Sequence, residues 1–260
     1  MLSYGTKIGY SPVNIKIGTL RKPLLKDVDR IGFDIFEYYE GLLVLTPELY
    51  VESQKKLGIE CSEEDSGLSL YELIRKDKML SAQYTEMLNF FFIEEVVFIE
   101  GFFFILADGK DSDSVDEEGR RKISAKGYIS DETFRTVLSI IAEICFIKND
   151  KVEEEPPKFK NEEARRLYEK MKKAREEGEL RKSFDKKYEL PNIVSAVASK
   201  HPSLNYTNIF NLTVYQLMDC FNRLQINDLY DISSTTVAVW GDEKKTFDST
   251  LWYKSELEKV

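Results

Sequence analysis

The spacing of hydrophobic residues divides the first 80 positions into three predicted elements. Residues 12–20 (PVNIKIGTL) alternate apolar and polar side chains, which predicts a half-buried strand. Residues 24–38 mix apolar and acidic side chains around one glycine, which fits a helix or a strand, and we favour a helix over Leu25–Tyr38. Residues 68–80 (LSLYELIRKDKML) bring their leucines and isoleucine to one side of a helix, which predicts a short amphipathic helix.

The most apolar stretch of the chain, residues 87–107, predicts a β-hairpin. Val96–Ile99 and Phe102–Leu106 are two short apolar runs. Glu100-Gly101 separates them by two residues, the commonest loop length for a tight hairpin turn.

The aromatic residues Phe102, Phe103 and Phe104 in this hairpin allow two interpretations. They are either the core of the first domain or an exposed surface that binds an apolar partner. The carboxylates Glu94, Glu95 and Glu100 lie in the same stretch, where burial would raise their pKa values as in an acid/base pair. We favour the interpretation that these carboxylates point outward while the aromatic side chains point inward.

Residues 108–150 complete a predicted α+β domain. The segment 108–122 is a polar loop, and Ile123–Ile129 is expected to be a strand. Ser130 is a suitable N-cap for a helix that begins at Asp131. The predicted buried stripe of that helix consists of Phe134, Val137, Leu138, Ile141 and Ile144.

The run 151–187 is the most charged part of the chain, with 13 lysines and arginines and 10 acidic residues in 37 positions. It has too little apolar surface to form a core of its own. Asn161 is a plausible N-cap for a helix to about Glu177, in which Leu167 and Met171 belong to a narrow stripe suited to docking. We interpret this run as a charged helical connector.

The last part of the chain predicts helices. Pro191 fits the start of a helix that ends at His201-Pro202. Thr213, followed by Gln216, is typical of a capping box at the start of the next helix. The predicted core face of that helix consists of Leu217, Met218, Phe221 and Leu224. Residues 229–240 are ambiguous between helix and strand, because their Thr-Thr-Val-Ala-Val core favours β structure locally.

The predicted fold class is therefore α+β, in three parts. An N-terminal mixed α/β domain with an antiparallel hairpin covers residues 1–150, the charged helical connector covers 151–187, and a small all-helical domain covers 188–260. An apolar fraction of 42% is enough for packed cores, which excludes wholesale disorder.

Charge and composition narrow the classes of function. The net charge is −9, and because residues 151–187 contribute +3, the rest of the chain carries −12. This balance argues against a nucleic-acid binder, which needs a clustered basic surface.

Three separated cysteines without a CxxC pair fit a reducing compartment. No stretch resembles a signal peptide or a membrane span, so we expect a soluble protein with no membrane association.

No catalytic, cofactor or metal motif is found in the sequence. The single histidine, His201, precedes a proline and has no thiol or carboxylate at metal-ligand spacing. The chain contains no GxGxxG or phosphate-binding loop. We therefore expect a protein that is not an enzyme and has no cofactor or metal.

An apolar FFFIEEVVFIEG stretch is followed by FRTVLSIIAEICFI and then by the charged NEEARRLYEKMKKAREE. This order of segments resembles a family of tailed-phage and prophage proteins of Gram-positive hosts, the tail assembly chaperones. The resemblance covers roughly residues 85–255 and is clearest at Asn211–Asp231. At 233–240 the sequence departs from the family, which tends to continue as a helix with a small-residue run.

The resemblance implies a non-virion protein in the host bacterial cytoplasm that binds the phage tape-measure protein and recruits the tail-tube protein. Homo-oligomerisation is left open. Such a chaperone needs a surface for amphipathic helices. The candidate residues are the aromatics Phe102, Phe103 and Phe104, the connector residues Leu167 and Met171, and the stripe Leu217, Phe221 and Leu224; each set also has an interpretation as plain core.

Three other classes of function stay open. One is a structural virion protein of the tail, baseplate or connector, and another is a host-directed regulator or anti-defence binder. The third is a nucleic-acid binder that would use residues 158–187 and bind DNA with a steep salt dependence. Because glutamates are interspersed among these cations, we favour a solvated helix face and expect no nucleic-acid partner.

Overall fold

The computed structural model describes residues 1–56, 58, 67–107, 124–147, 189–242 and 247–253. The chain divides into two compact units, Met1–Asn149 and Asp150–Val260. The predicted α+β class with a helical C-terminal region is confirmed. The predicted connector 151–187, with Leu167 and Met171, lies outside the described residues.

The first unit contains seven described helices and two small antiparallel sheets. In chain order its elements are α1 (Tyr4–Ile8), β1 (Val13–Ile15), β2 (Gly18–Leu20), α2 (Leu25–Ile31), α3 (Phe33–Val44), α4 (Pro47–Lys56), α5 (Leu70–Lys76), α6 (Lys78–Phe91), β3 (Val96–Ile99), β4 (Phe102–Leu106), β5 (Ala125–Ile129) and α7 (Asp131–Ile144). Strands β1 and β2 pair as a hairpin, and β3, β4 and β5 form a three-stranded sheet in that order.

Two predicted elements near the N-terminus are each divided in the structure. The single strand predicted over 12–20 is wrong, because Lys16 and Ile17 form a turn that pairs Ile15 with Gly18. The helical conformation predicted over Leu25–Tyr38 is confirmed, but it belongs to two helices. Gly32 ends α2 with φ of 96°, a conformation that favours glycine, and α3 begins at the next residue.

The helix predicted over 68–80 is interrupted at Asp77. Ser69 caps α5 in a capping box with Glu72, and Asp77 takes an extended conformation after Lys76. The Asp77 carboxylate then accepts from the backbone N–H groups of Met79 and Leu80, so it is the N-cap of α6. Asp77 thus lies at the boundary between two helices, although the sequence pattern predicts one continuous helix.

The hairpin predicted at Val96–Ile99 and Phe102–Leu106 is confirmed residue for residue. Its turn residues Glu100 and Gly101 have φ of 50° and 85°. Positive φ at both positions is typical of a two-residue turn that matches the right-handed twist of the flanking strands. The helix predicted from Asp131 is α7, and Ser130 is its N-cap. All five residues of its predicted stripe are buried: Phe134, Val137, Leu138, Ile141 and Ile144.

The core of the first unit lies between the inner face of the three-stranded sheet and helices α5, α6 and α7. Phe103 of β4 stacks on Phe134 of α7, with ring centroids 6.1 Å apart and planes 7° apart. Two buried tyrosine hydroxyls donate hydrogen bonds to backbone carbonyl oxygens, Tyr71 to Ile129 (2.7 Å) and Tyr84 to Leu42 (2.8 Å). The contacts of Phe103 and Tyr71 fix one face of the sheet against the helices, and the Tyr84 hydrogen bond joins α6 to α3.

The second unit is helical over its described residues. It contains α8 (Leu190–Lys200), a 3-10 turn (Ile209–Asn211), α9 (Val214–Trp240) and a second 3-10 turn (Leu251–Tyr253). The predicted helix from Pro191 to His201-Pro202 is confirmed within one residue. Apolar residues of α8, the first turn and the N-terminal part of α9 form its core: Ile193, Val194, Val197, Ile209, Val214 and Leu217.

Helix α9 begins where the sequence predicts, and it continues through the ambiguous stretch. The Thr213 hydroxyl accepts from the Gln216 N–H, and the Gln216 side chain accepts from the Thr213 N–H. Residues 229–240 are helical in spite of their β-branched composition, and Gly241 ends the helix with φ of 80°. Of the predicted core face, Leu217 is buried, whereas Met218, Phe221 and Leu224 are half-buried.

Candidate protein-binding surfaces

Strand alternation gives the three-stranded sheet two different faces. Phe103 and Ile105 of β4 and Ile129 of β5 are fully buried on the inner face. The alternate positions form the outer face, which is also apolar. We call it the aromatic sheet face, and it consists of Val97, Ile99, Phe102, Phe104, Leu106 and Tyr128.

The aromatic rings of the outer face are in mutual contact and remain accessible. The Tyr128 ring centroid lies 6.0 Å from that of Phe102 and 6.2 Å from that of Phe104. Phe102 and Phe104 are partly exposed, and 55% of Tyr128 is exposed. Six apolar side chains on one flat surface, with none fully buried, are typical of a surface that binds an apolar partner.

Arg75 borders the aromatic sheet face at the hairpin turn. Its guanidinium carbon lies 5.7 Å from the centroid of the Phe102 ring, which is the geometry of a cation–π contact. A Cβ atom at Gly101 would lie 2.5 Å from Arg75 Nε, so the glycine leaves room for this arginine. Arg75 therefore places one cationic side chain at this edge of the face.

The structure separates the candidate residues that the sequence grouped together. Phe103 is 0% exposed and packs among Tyr71 and Phe134, so it belongs to the core. Leu217 is also 0% exposed. In contrast, Phe102 and Phe104 lie on the aromatic sheet face, because alternate residues of a strand point to opposite sides.

The expectation that the carboxylates near the hairpin point outward is wrong for Glu94. Glu95 and Glu100 are exposed, but Glu94 is 4% exposed. Its carboxylate accepts from the Thr19 backbone N–H (2.9 Å) and from the Lys126 ammonium (2.5 Å). Burial alone would raise the pKa of Glu94, but these hydrogen bonds outweigh it and hold the pKa below its ordinary value. No sequence signal connects three residues so far apart.

A second exposed apolar surface lies on the C-terminal half of α9. Leu229, Ile232, Val239 and Trp240 are between 57% and 81% exposed. Their spacing of three, seven and one residues places them along one side of the helix. This surface is not predictable from the sequence, because the composition of 229–240 fits both a helix and a strand.

His201 has a local structural role. Its Nδ1 accepts from the backbone N–H groups of Ser203 and Leu204, both at 3.2 Å, and this stabilises the turn after α8.

Over the part of the chain that the structure describes, no group of three or more histidines, cysteines, aspartates or glutamates is placed to hold a metal ion. None of the described helices is long and apolar enough to cross a membrane.

Comparison with known proteins finds one family. Residues 181–256 match the model of the YomV second domain, which covers less than a third of the chain. No curated protein and no solved structure matches the chain. The YomV second domain is a phage-associated family of the type found in the Bacillus prophage SPbeta. The C-terminal part of this chain is thus similar to a phage-associated domain.

Proposed function

We propose that this protein is a phage tail assembly chaperone, which binds the tape-measure protein and aids assembly of the tail tube without catalysis. We also propose that it acts in the host cytoplasm and that the tail-tube protein is its second partner. Two observations support the proposal: the similarity of residues 181–256 to a phage-associated domain, and the aromatic sheet face of the first unit.

The aromatic sheet face is the observation that carries the proposal. A sheet with one apolar face packed on helices and a second apolar face accessible has room for one more helical layer. An amphipathic helix buries its apolar stripe on such a surface, and aromatic side chains supply large contact areas at small entropy cost. A chaperone for a long helical protein needs a surface of this kind, since it covers apolar helix faces until the final partner replaces it.

The rim of the face favours a helix that carries acidic residues beside its apolar stripe. Arg75 lies next to Phe102 and is available to pair with a carboxylate at the edge of the contact. Rim charges of this kind affect association rates and register more than affinity, which suits a reversible contact.

Co-expression with the tape-measure protein of the same phage tests the proposal. The chaperone function predicts that the tape-measure protein becomes soluble and co-purifies with this chain, and that the chain is absent from purified particles by mass spectrometry. An insoluble, unbound tape-measure protein contradicts the proposal. Stoichiometric presence of the chain in particles also contradicts it and identifies a structural virion protein instead.

A further inference from the structure

The second unit contains an open groove of about 440 Å³ between α9 and the 3-10 turn Leu251–Tyr253. Among the residues that the structure describes, Asn227, Tyr230, Asp231 and Trp252 line it. We call it the α9 groove. Two aromatic rings, one carboxylate and one amide therefore lie along one open groove within one unit.

Neighbouring rings position both aromatic walls of the α9 groove. The Tyr230 ring packs on Phe247, with centroids 5.7 Å apart. The Trp252 ring meets Tyr253 edge to face at 4.9 Å. Trp252 nevertheless remains 52% exposed, so its indole is available to a ligand.

The carboxylate of the groove has no cationic partner among the residues that the structure describes. Asp231 is exposed, and the described ion pairs of α9 use Asp219 with Arg223 and Asp228 with Lys200. From residue 224 to residue 242 the sequence contains three aspartates and neither lysine nor arginine. Over the described residues, the groove is thus an aromatic surface with one carboxylate that has no ion-pair partner.

We propose that the α9 groove binds the guanidinium group of an arginine side chain from a protein partner. A cation is attracted by the faces of tryptophan and tyrosine rings, and by a carboxylate beside them. The planar guanidinium stacks on an indole and donates two parallel hydrogen bonds to one carboxylate. The Asn227 amide oxygen adds an acceptor for a further N–H group.

The planar shape of the guanidinium distinguishes arginine from lysine as a ligand for this groove. An ammonium group is a compact, strongly hydrated charge, which gains less from an open groove than a weakly hydrated guanidinium does. The sequence next to the groove contains Lys244, Lys245 and Lys254 but no arginine over 224–260. An arginine in the groove therefore comes from another molecule or from a distant part of the chain.

This inference stands apart from the proposed function, which depends on the aromatic sheet face of the first unit. Loss of arginine binding at Asp231 leaves tape-measure binding by that face untouched. An experiment can therefore contradict one of the two proposals without contradicting the other.

Tryptophan fluorescence of the full chain tests the proposal. The chain has two tryptophans, so the variant Trp240→Phe leaves Trp252 as the only reporter. We would titrate this variant with three acetylated and amidated tripeptides, Gly-Arg-Gly, Gly-citrulline-Gly and Gly-Lys-Gly, at low salt. Citrulline has the shape of arginine without its charge.

The proposal predicts a saturable change in Trp252 emission with the arginine peptide, and at least tenfold weaker binding of the citrulline peptide. Asp231→Asn in the same background should weaken arginine binding about fivefold to tenfold, and Asp231→Glu should restore part of it. Asp29→Asn, which removes an exposed carboxylate from the first unit, is the matched control and should bind like the parent. Circular dichroism of each variant verifies its helix content.

Three results would overturn the proposal. They are the absence of a saturable response to the arginine peptide, equal affinity for the citrulline or lysine peptide, and unchanged affinity after Asp231→Asn in a folded variant.

Discussion

The Lys126 ammonium donates to the Glu94 carboxylate across 2.5 Å, and this contact joins the β5 strand to the segment that precedes β3. The Glu94 side chain is 2% exposed, whereas that of Lys126 is 42% exposed. The second carboxylate oxygen of Glu94 accepts from the Thr19 N–H, which attaches the N-terminal hairpin as well. One buried carboxylate thus connects three separate parts of the first unit.

Replacing Glu94 with glutamine should reduce the free energy of unfolding by about 1 to 3 kcal/mol. The amide keeps the shape but loses the charge-assisted hydrogen bonds to Lys126 and Thr19. Urea denaturation at pH 7 measures the loss. Glu95→Gln, at the adjacent exposed position, is the matched control and should change the stability by less than about 0.5 kcal/mol. Equal effects of the two substitutions would contradict the role of Glu94.

The same pair predicts how stability depends on acid. Because the folded-state pKa of Glu94 lies below its ordinary value, its contribution is present above pH 4.5 and is lost as pH falls through the folded-state pKa. The stability difference between the natural chain and Glu94→Gln should therefore shrink between pH 6 and pH 3. Urea denaturation across that range measures it, and a constant difference would count against the predicted pKa direction.

Gly127 should not tolerate a side chain. A Cβ atom there would lie 2.9 Å from the Cα, Cβ and carbonyl oxygen of Ile17, and backbone atoms cannot move aside as a flexible side chain can. Gly127→Ala should therefore reduce the free energy of unfolding by about 2 to 3 kcal/mol. Urea denaturation of the variant against the natural chain gives the value.

The matched control for this substitution is Gly41→Ala. Gly41 lies inside α3 and its added Cβ would meet nothing within 4 Å. Alanine should stabilise this helix by about 0.5 to 1 kcal/mol, because it costs less backbone entropy than glycine. The two glycine substitutions thus have opposite predicted signs, and the same sign for both would refute the close approach of Ile17 to β5.

Glu40 in α3 should make the first unit less stable above neutral pH. Burial, with a smaller contribution from Glu37, raises its pKa to about 7. Its folded state binds a proton that the unfolded chain releases near pH 4.5, so stability should fall as pH rises from about 5 through 7. Glu40→Gln should remove this decline and raise the free energy of unfolding at pH 8 by about 1 to 2 kcal/mol.

Chemical denaturation at pH 5.5 and pH 8 measures the effect of Glu40. Burial raises the pKa of the Cys145 thiol, and the nearby Glu40 carboxylate raises it further. Glu37→Gln is the graded control, and it should reduce the pH dependence only in part. A natural chain with equal stability at the two pH values would refute the raised pKa.

Local signals predicted elements where turn and cap chemistry is strong. The Glu100-Gly101 turn and the Ser130 and Thr213 caps define the hairpin, α7 and the start of α9. They did so because each signal acts within four residues. The predictions that merged two helices into one failed at Gly32 and Asp77. These residues end helices through backbone conformations that the spacing of apolar residues does not reveal.

The candidate surface was only half predictable from sequence. Strand alternation puts Phe102 and Phe104 on one face and Phe103 on the other, but which face meets the core depends on Tyr71 and Phe134. The burial of Glu94 depends on Thr19 and Lys126, which are 75 and 32 residues away. Such long-range contacts leave no periodic trace in the chain.

The most direct test of the account compares tape-measure binding by two folded variants of the full chain. The double variant Phe104→Gln/Tyr128→Gln makes the aromatic sheet face polar, and Tyr10→Gln removes an exposed tyrosine of the same unit. We predict that the double variant binds the co-expressed tape-measure protein at least tenfold more weakly in a pull-down and that Tyr10→Gln binds like the natural chain. Equal binding by the double variant and the natural chain would contradict the assignment of this face as the binding surface.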